Sequence, residues 1–288
     1  MAPASVSAPL PAVVIPVYNA APELNRCLQT VCATVPPGTD VLIIDDASPD
    51  PAVAAVLRDW SGRGVPGWRF LGNPENLGFV GTANRGMRLC MSMGRGDVVL
   101  LNSDTEVTRG WLQGLGRCLA ADAAIATATP WSNNGEIVSI PRFCAANPAP
   151  ADAEAVAAVV GRCGPAQYPE LPTAVGFCMA VARRAIERIG LFDETLFGKG
   201  YGEENDYSLR AQDAGLRNVL CDDVYVVHLG GRSFGPLGLQ PGEDSMRRLL
   251  SRHPGYLERV QAFIAADPLA GRRGAILDAL DRAGVRLR

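Results

Sequence analysis

Four groups of polar residues in this sequence have the composition and setting to do chemistry. The apolar run DVVLLN (97–102) delivers Asn102, Ser103 and Asp104 into a turn, with Glu106 two residues on. Hard divalent cations need oxygen ligands held by a rigid base, and Asp104 is the ligand this pattern offers. The competing assignment is a cap for the helix expected near Arg109, a common use of Ser and Asp. In GYGEENDYSLRAQDAG (200–215) Glu203, Glu204 and Asp206 crowd three carboxylates into four residues at a helix start. Negative charge there is favoured by the helix dipole, but two adjacent carboxylates in a glycine-flanked turn also suit general-base work, since like charge and burial raise one pKa toward neutrality. Asp206 and Arg210, at i and i+4, read as a structural pair.

His228 is one of two histidines and ends the apolar run CDDVYVVH (221–228), which makes it either a core histidine or a metal ligand. The fourth group follows the first two apolar runs. Asp45 can accept a hydrogen bond from a base imide, and Pro16, Tyr18 and Asn19 can frame a base and ribose; capping of the next helix is the alternative for Asp45 to Ser48. No G-x-G-x-x-G follows the first run and no G-x-x-x-x-G-K-[ST] occurs, so dinucleotide and P-loop sites lack their defining glycines. Neutralising a bound phosphate would then fall to a metal, which links Asp104 to His228.

Presenting these groups together requires a particular scaffold. Short runs rich in Val and Ile, AVVIPV (12–17), VLIID (41–45), WRFL (68–71) and DVVLLN, alternate with helical spacing opened by Pro22 and carried by Leu24, Leu28 and Val31, and with helical spacing near 51–60, 78–92 and 111–119. Continuous apolar strands separated by helices predict an α/β fold with a mainly parallel central sheet, helices on both faces and ligands at the carboxyl ends of the strands. After an Ala- and Pro-rich excursion (144–172) with a helix near 151–161, TAVGFCMAVA (173–182) resumes the core, and a strand pair is expected at 217–221 and 224–228. Residues 1–9 read as a flexible arm, 10–235 as the main domain and 236–288 as a C-terminal helical appendage rich in Arg.

The bulk numbers exclude partners more than they identify them. The 288 residues are 48% hydrophobic and 20% charged, with a net charge of −3 and a pI near 5.5. That balance offers no global attraction to nucleic acid or anionic lipid. The eight cysteines are scattered without C-x-x-C and read as reduced core thiols. No run has the length of a membrane span, and the N-terminus lacks the basic and apolar regions of a signal peptide. The expectation is a cytoplasmic protein, with peripheral contact at the inner face of a membrane left open.

Taken in order from about residue 12 to 235, these segments resemble the family-2 inverting glycosyltransferases of the GT-A fold. VVIPVYN resembles the family's first strand, VLIIDDASPD its nucleotide-binding second strand, and NLGFVGTANRGM its helix entry, with Asn76 and Asn84. LNSDT resembles its D-x-D metal motif with Asn102 replacing the first Asp, a variant similar to that of rhamnosyltransferases. PWSNNGEI (130–137) and GFCMAVARRAIERIGLFDE (176–194) resemble an acceptor-side loop and the central strand and helix. The resemblance implies a metal-dependent hexosyltransferase of cell-wall or polysaccharide synthesis that takes a dTDP-, UDP- or GDP-linked sugar donor. Its acceptor would be a sugar, a lipid-linked sugar or a small molecule.

Carried onto this sequence, the resemblance makes Glu204, with Glu203 as its alternative, the general base. Pro16, Tyr18, Asn19, Asp45, Asn76, Asn84, Asn102, Ser103 and Asp104 would hold the donor. Trp131, Asn133, Asn134, Gly176 and Phe177 would face the acceptor, and Asp104 and His228 would hold Mn²⁺ or Mg²⁺. Two rivals share parts of this pattern. A sugar-phosphate nucleotidyltransferase would need a glycine-rich basic loop where Pro16 to Asn19 stand. A catalytically weak nucleotide-sugar or carbohydrate-binding protein is favoured by Asn102.

Overall fold

The apolar runs become strands of one sheet because both of its faces are covered. In the computed structural model, which describes residues 10–230 and 243–287, the strands are β1 (Ala12–Val17), β2 (Val41–Asp45), β3 (Trp68–Gly72), β4 (Val98–Leu101), β5 (Thr105–Glu106), β6 (Ile125–Trp131), β7 (Cys178–Val181), β8 (Arg217–Tyr225) and β9 (Val227–His228). Seven of them form a sheet in the order β3-β2-β1-β4-β7-β6-β8, and β5 pairs with β9 in a separate two-stranded sheet. Within the large sheet β7 runs antiparallel to β4 and β6, and the remaining pairs are parallel.

Alternation along β1 sends Val13, Ile15 and Val17 into one core and Ala12 and Val14 into the other. The first core is closed by α1 (Ala21–Thr34), α2 (Pro51–Gly62), α4 (Trp111–Ala121) and α5 (Ala153–Val160); the second is closed by α3 (Gly78–Ser92). The remaining helices are α6 (Arg183–Ile189), α7 (Glu194–Phe197), α8 (Glu203–Asp213), α9 (Glu243–Arg252), α10 (Tyr256–Ala266) and α11 (Ala270–Arg282). No helix among the described residues is long and apolar enough to cross a membrane.

Two expectations are corrected. The segment IATATPW lacks a strand-like apolar run, yet it is β6, buried along its whole length; its Ala, Thr and Pro content hides a strand that only the packing on both faces reveals. The expected strand pair is instead one nine-residue strand, β8, followed by a short departure into β9. Asp222-Asp223 makes no turn because the Asp222 carboxylate accepts from the Gln167 and Tyr168 N–H groups at 3.0 and 3.2 Å and pairs with Arg272 at 2.9 Å. The arm at 1–9 and the boundary at 235 lie outside the described residues.

The C-terminal helices are fastened to the body at named points. Leu269, Ile276 and Leu280 enter the first core, and Leu249 and Tyr256 the second. A fully buried carboxylate, Asp206 on α8, accepts from Arg210 Nε at 2.7 Å, Arg252 at 3.0 Å and His253 Nε2 at 2.9 Å. Burial alone would raise its pKa, but these donors outweigh burial and hold it below the usual carboxylate value.

Two tests follow from this packing. Gly86 of α3 meets the Val14 side chain of β1 so closely that a Cβ has no room. Gly86→Val should cost about 1–3 kcal/mol, seen as a lower denaturant midpoint with an unchanged slope. Asp206→Asn should cost about 3–5 kcal/mol at pH 7 by removing the buried negative charge on which Arg210, Arg252 and His253 converge. Because the folded pKa of Asp206 is depressed, the wild-type advantage is complete above the unfolded value of about 3.9 and should disappear as pH falls through the folded value. Urea melts of both proteins between pH 7 and pH 3 measure that convergence.

Candidate active site

A cavity of about 690 Å³ opens at the carboxyl ends of the strands. Its walls come from the segments after β1, β2, β4 and β6, from the start of α3, from the turn entering α8, and from α9 and α10. One buried side chain fixes the floor. Asp46 accepts from the Leu77 and Gly78 N–H groups, each at 2.8 Å, and from Asn73 Nδ2 at 2.7 Å, tying the end of β2 to the first turn of α3.

Asp104 and His228 meet in one wall because β5 and β9 pair in antiparallel register, Thr105 opposite His228, and the Leu229 N–H donates to Asp104 O at 3.0 Å. His228 Nε2 lies 3.6 Å from Asp104 Oδ1. Its Nδ1 is 2.6 Å from the Asn134 carbonyl, which can only accept, so Nδ1 carries the proton and Nε2 faces Asp104. The Phe177 ring stacks on the imidazole at 5.2 Å. Burial opposes a charge on His228, but Asp104 and the Asn134 carbonyl prevail and raise its pKa. One carboxylate oxygen and one imidazole nitrogen this close suit a single divalent ion with bonds of about 2.1 Å to each. Among the described residues no group of three His, Cys, Asp or Glu side chains could hold a metal, so other ligands would have to come from a bound molecule or water.

Glu203 and Glu204 line the same cavity. Gly202, at φ 100°, turns the chain into α8, and both carboxylates occupy its first turn. Burial raises the Glu204 pKa to about 7, helped by nearby Glu136 and opposed by backbone N–H groups of the turn. Glu203 is driven well above the ordinary carboxylate value by burial and by Glu204, and its Oε2 has no hydrogen-bond partner. Glu203 is therefore the harder of the two to ionise, and Glu204 is the more accessible. Asn205 orients that carboxylate: its Nδ2 is 3.3 Å from Glu204 Oε1, while its Oδ1 accepts from Thr173 at 2.7 Å.

Of the residues singled out in the sequence, Pro16, Tyr18, Asn76, Asn102, Ser103, Asp104, Asn134, Gly176, Phe177, Glu203, Glu204 and His228 line this cavity. Five do not. Trp131 ends β6 wholly buried in the first core, because that strand has no open face. Asn84 is buried in α3, bonded to Phe192 O at 2.9 Å and Glu194 at 2.8 Å. Asn133 brackets His228, accepting from its N–H at 2.9 Å and donating to its carbonyl at 3.1 Å. The Asp45 carboxylate caps the Ser48 N–H at 3.1 Å, and the Asn19 N–H is bonded to Ser48 Oγ at 3.0 Å, both outside the wall. Sequence reasoning missed Glu136, whose only signal was a charge beside Gly135 in a polar turn. It also missed Met246, Leu249 and Tyr256, because an amphipathic stripe reads alike whether it faces a core or a cavity.

Comparison with known proteins agrees with this architecture. The chain is 29% identical over 198 residues to uncharacterized proteins of Mycobacterium bovis and of Mycobacterium tuberculosis H37Rv, a match that covers 68% of this chain and 66% of each relative's length. Three solved structures share its fold. The mannosyltransferase PcManGT from Pyrobaculum calidifontis, in complex with GDP-Man and Mn²⁺, gives a TM-score of 0.55 at 17% identity, covering 97% of this chain and 76% of that one. GalNAc-T7 with UDP, GalNAc and Mn²⁺ gives 0.60 at 16% identity, covering 94% and 54%. S. aureus TarS gives 0.54 at 15%, covering 93% and 78%. Residues 12–190, well over half of the sequence, match the model of glycosyl transferase family 2. With its mostly parallel seven-stranded sheet of the GT-A type and a match of that extent, this chain belongs to glycosyl transferase family 2.

Proposed function

We propose that this chain transfers a sugar from a nucleoside-diphosphate donor to an acceptor hydroxyl, with metal assistance and inversion at the anomeric carbon. The observation that carries this reading is that the Asp104 and His228 pair and the Glu204 carboxylate face one cavity from different walls. Two proteins of the same fold hold Mn²⁺ together with a nucleotide or nucleotide sugar, which supports the donor class.

Asp104 and His228 would hold Mn²⁺ or Mg²⁺, which when bound would share the negative charge developing on the leaving diphosphate. Pro16 and Tyr18 would frame the nucleotide, and Asn76, Asn102 and Ser103 would offer hydrogen bonds to ribose and phosphate. Glu204 would take the proton of the acceptor hydroxyl as that oxygen attacks the anomeric carbon from the face opposite the leaving group. Glu203, whose ionisation is opposed by burial and by Glu204, would limit the repulsion that a second ionised carboxylate would impose. Asn134, Gly176 and Phe177 would bound the space in which the sugars meet. Holding both reactants in line in a partly enclosed cavity would supply much of the acceleration.

The reading is tested by screening UDP-, GDP- and dTDP-sugars with Mn²⁺ or Mg²⁺, following melting temperature and release of nucleoside diphosphate; no stabilisation and no release would refute it. Glu204→Gln should lower kcat by about 10²–10⁴-fold with donor affinity retained. The base acts ionised, so kcat/KM in the wild type should rise with pH through an apparent pKa near 7, and this limb should be absent from any residual activity of Glu204→Gln. Asp104→Asn or His228→Ala should weaken the Mn²⁺-dependent part of donor binding by tenfold or more, on the order of a lost charged contact. Calorimetric titration with and without chelator separates that part from metal-independent binding.

A further inference from the structure

One carboxylate in the cavity has no protein partner. Glu136 begins the 3₁₀ turn that follows β6, lines the cavity, and among the described residues makes no side-chain hydrogen bond or ion pair. Its backbone is left-handed, φ 51°, which a residue with a Cβ adopts only where its surroundings impose it. The surroundings here do so. The Glu136 carbonyl accepts from the Ser139 and Cys144 N–H groups, each at 3.1 Å, and the preceding Gly135 N–H donates to Ser139 Oγ at 2.9 Å. A turn pinned at three points thus holds an unpaired charge in the cavity.

Its position decides what that charge can meet. Glu136 lines the same cavity as His228, Glu204 and Tyr256. In the reading proposed above, on which this step rests, the leaving diphosphate lies against Asp104 and His228, and the attacking hydroxyl against Glu204. A carboxylate in the wall of the cavity that both ends share is available to what lies between them, the ring being transferred. A carboxylate is acceptor-only and makes its strongest neutral-partner bonds to hydroxyl groups, often two at once. We propose that Glu136 recognises the transferred sugar by accepting hydrogen bonds from its ring hydroxyls, and so is a specificity-determining residue for the donor.

The test compares the sugar nucleotide with the bare nucleotide. Wild type, Glu136→Gln and Glu136→Gly are titrated calorimetrically, with Mn²⁺ present, with UDP-glucose, UDP-N-acetylglucosamine, GDP-mannose and dTDP-rhamnose, and separately with UDP, GDP and dTDP. For the sugar nucleotide that wild type binds best, both substitutions should weaken binding by about tenfold or more, the size of one charged hydrogen bond. Affinity for the matching diphosphate should stay within about twofold. Glycine suits the left-handed backbone, so Glu136→Gly should melt no lower than wild type. Equal loss for sugar nucleotide and diphosphate, as a metal ligand or a structural residue would give, overturns the assignment, and so does unchanged binding of the sugar nucleotide. A wild type that binds none of these nucleotides defeats the donor reading and the assignment with it, whereas normal wild-type binding with no effect of the substitutions defeats the assignment alone.

Discussion

The site depends on one short piece of backbone pairing, the antiparallel contact of β5 with β9. Neither strand is long enough to be stable alone, and each leaves the main sheet just before it forms. What holds them is the cover around them. Asn133 brackets the His228 backbone, Thr108 Oγ1 donates to Tyr225 O at 2.7 Å, and the Val226 N–H is bonded to Trp131 O at 2.9 Å. Through this contact a carboxylate from the first half of the chain and an imidazole from its last strand come within 3.6 Å. The buried end of β6 is therefore not idle. Trp131 and Asn133 fix the strand that carries His228 and never reach the cavity themselves.

The start of α8 is governed by the cost of burying negative charge. Burial raises the pKa values of both Glu203 and Glu204, and Glu204 adds to the cost of ionising Glu203. The backbone N–H groups at the start of α8 offset part of that cost for Glu203 and Glu204, as a helix N-terminus does for any anion. The next carboxylate on α8, Asp206, has the reverse environment: two arginines and a histidine hold it ionised and tie α9 to the helix that carries Glu204. Residues two apart in sequence thus have opposite electrostatic roles because their side chains leave the helix on different faces. The same tie places Met246, Leu249 and Tyr256 in the cavity wall, so the C-terminal helices help to shape the site.

Much of the frame was legible in the sequence because it rests on local regularities. The Val- and Ile-rich runs at 12–17 and 41–45 and the apolar spacing of Leu24, Leu28 and Val31 specify strands and a helix through side-chain period, whereas the cap of α2, expected within Asp45 to Ser48, is Asp50. Polar residues at strand ends were placed by the same rule, and most of them do line the cavity. β6 was missed because its Ala, Thr and Pro residues gain strand character only from neighbours on both sides, and β8 was divided because two aspartates imitate a turn when their partners at 167, 168 and 272 are unknown.

What the sequence by itself determined was the alternation of elements, the order of the motifs and the residue types available for metal, nucleotide and proton chemistry. Tertiary structure alone decided which of those residues share a cavity. It sent Asn84, Trp131 and Asn133 to structural work, separated Glu203 from Glu204 by exposure, and brought Glu136 and the C-terminal helices into the site. The physical reason is that a side chain's period and propensity depend on its neighbours in the chain. Its burial, its pKa and its partners depend on segments that only folding brings near.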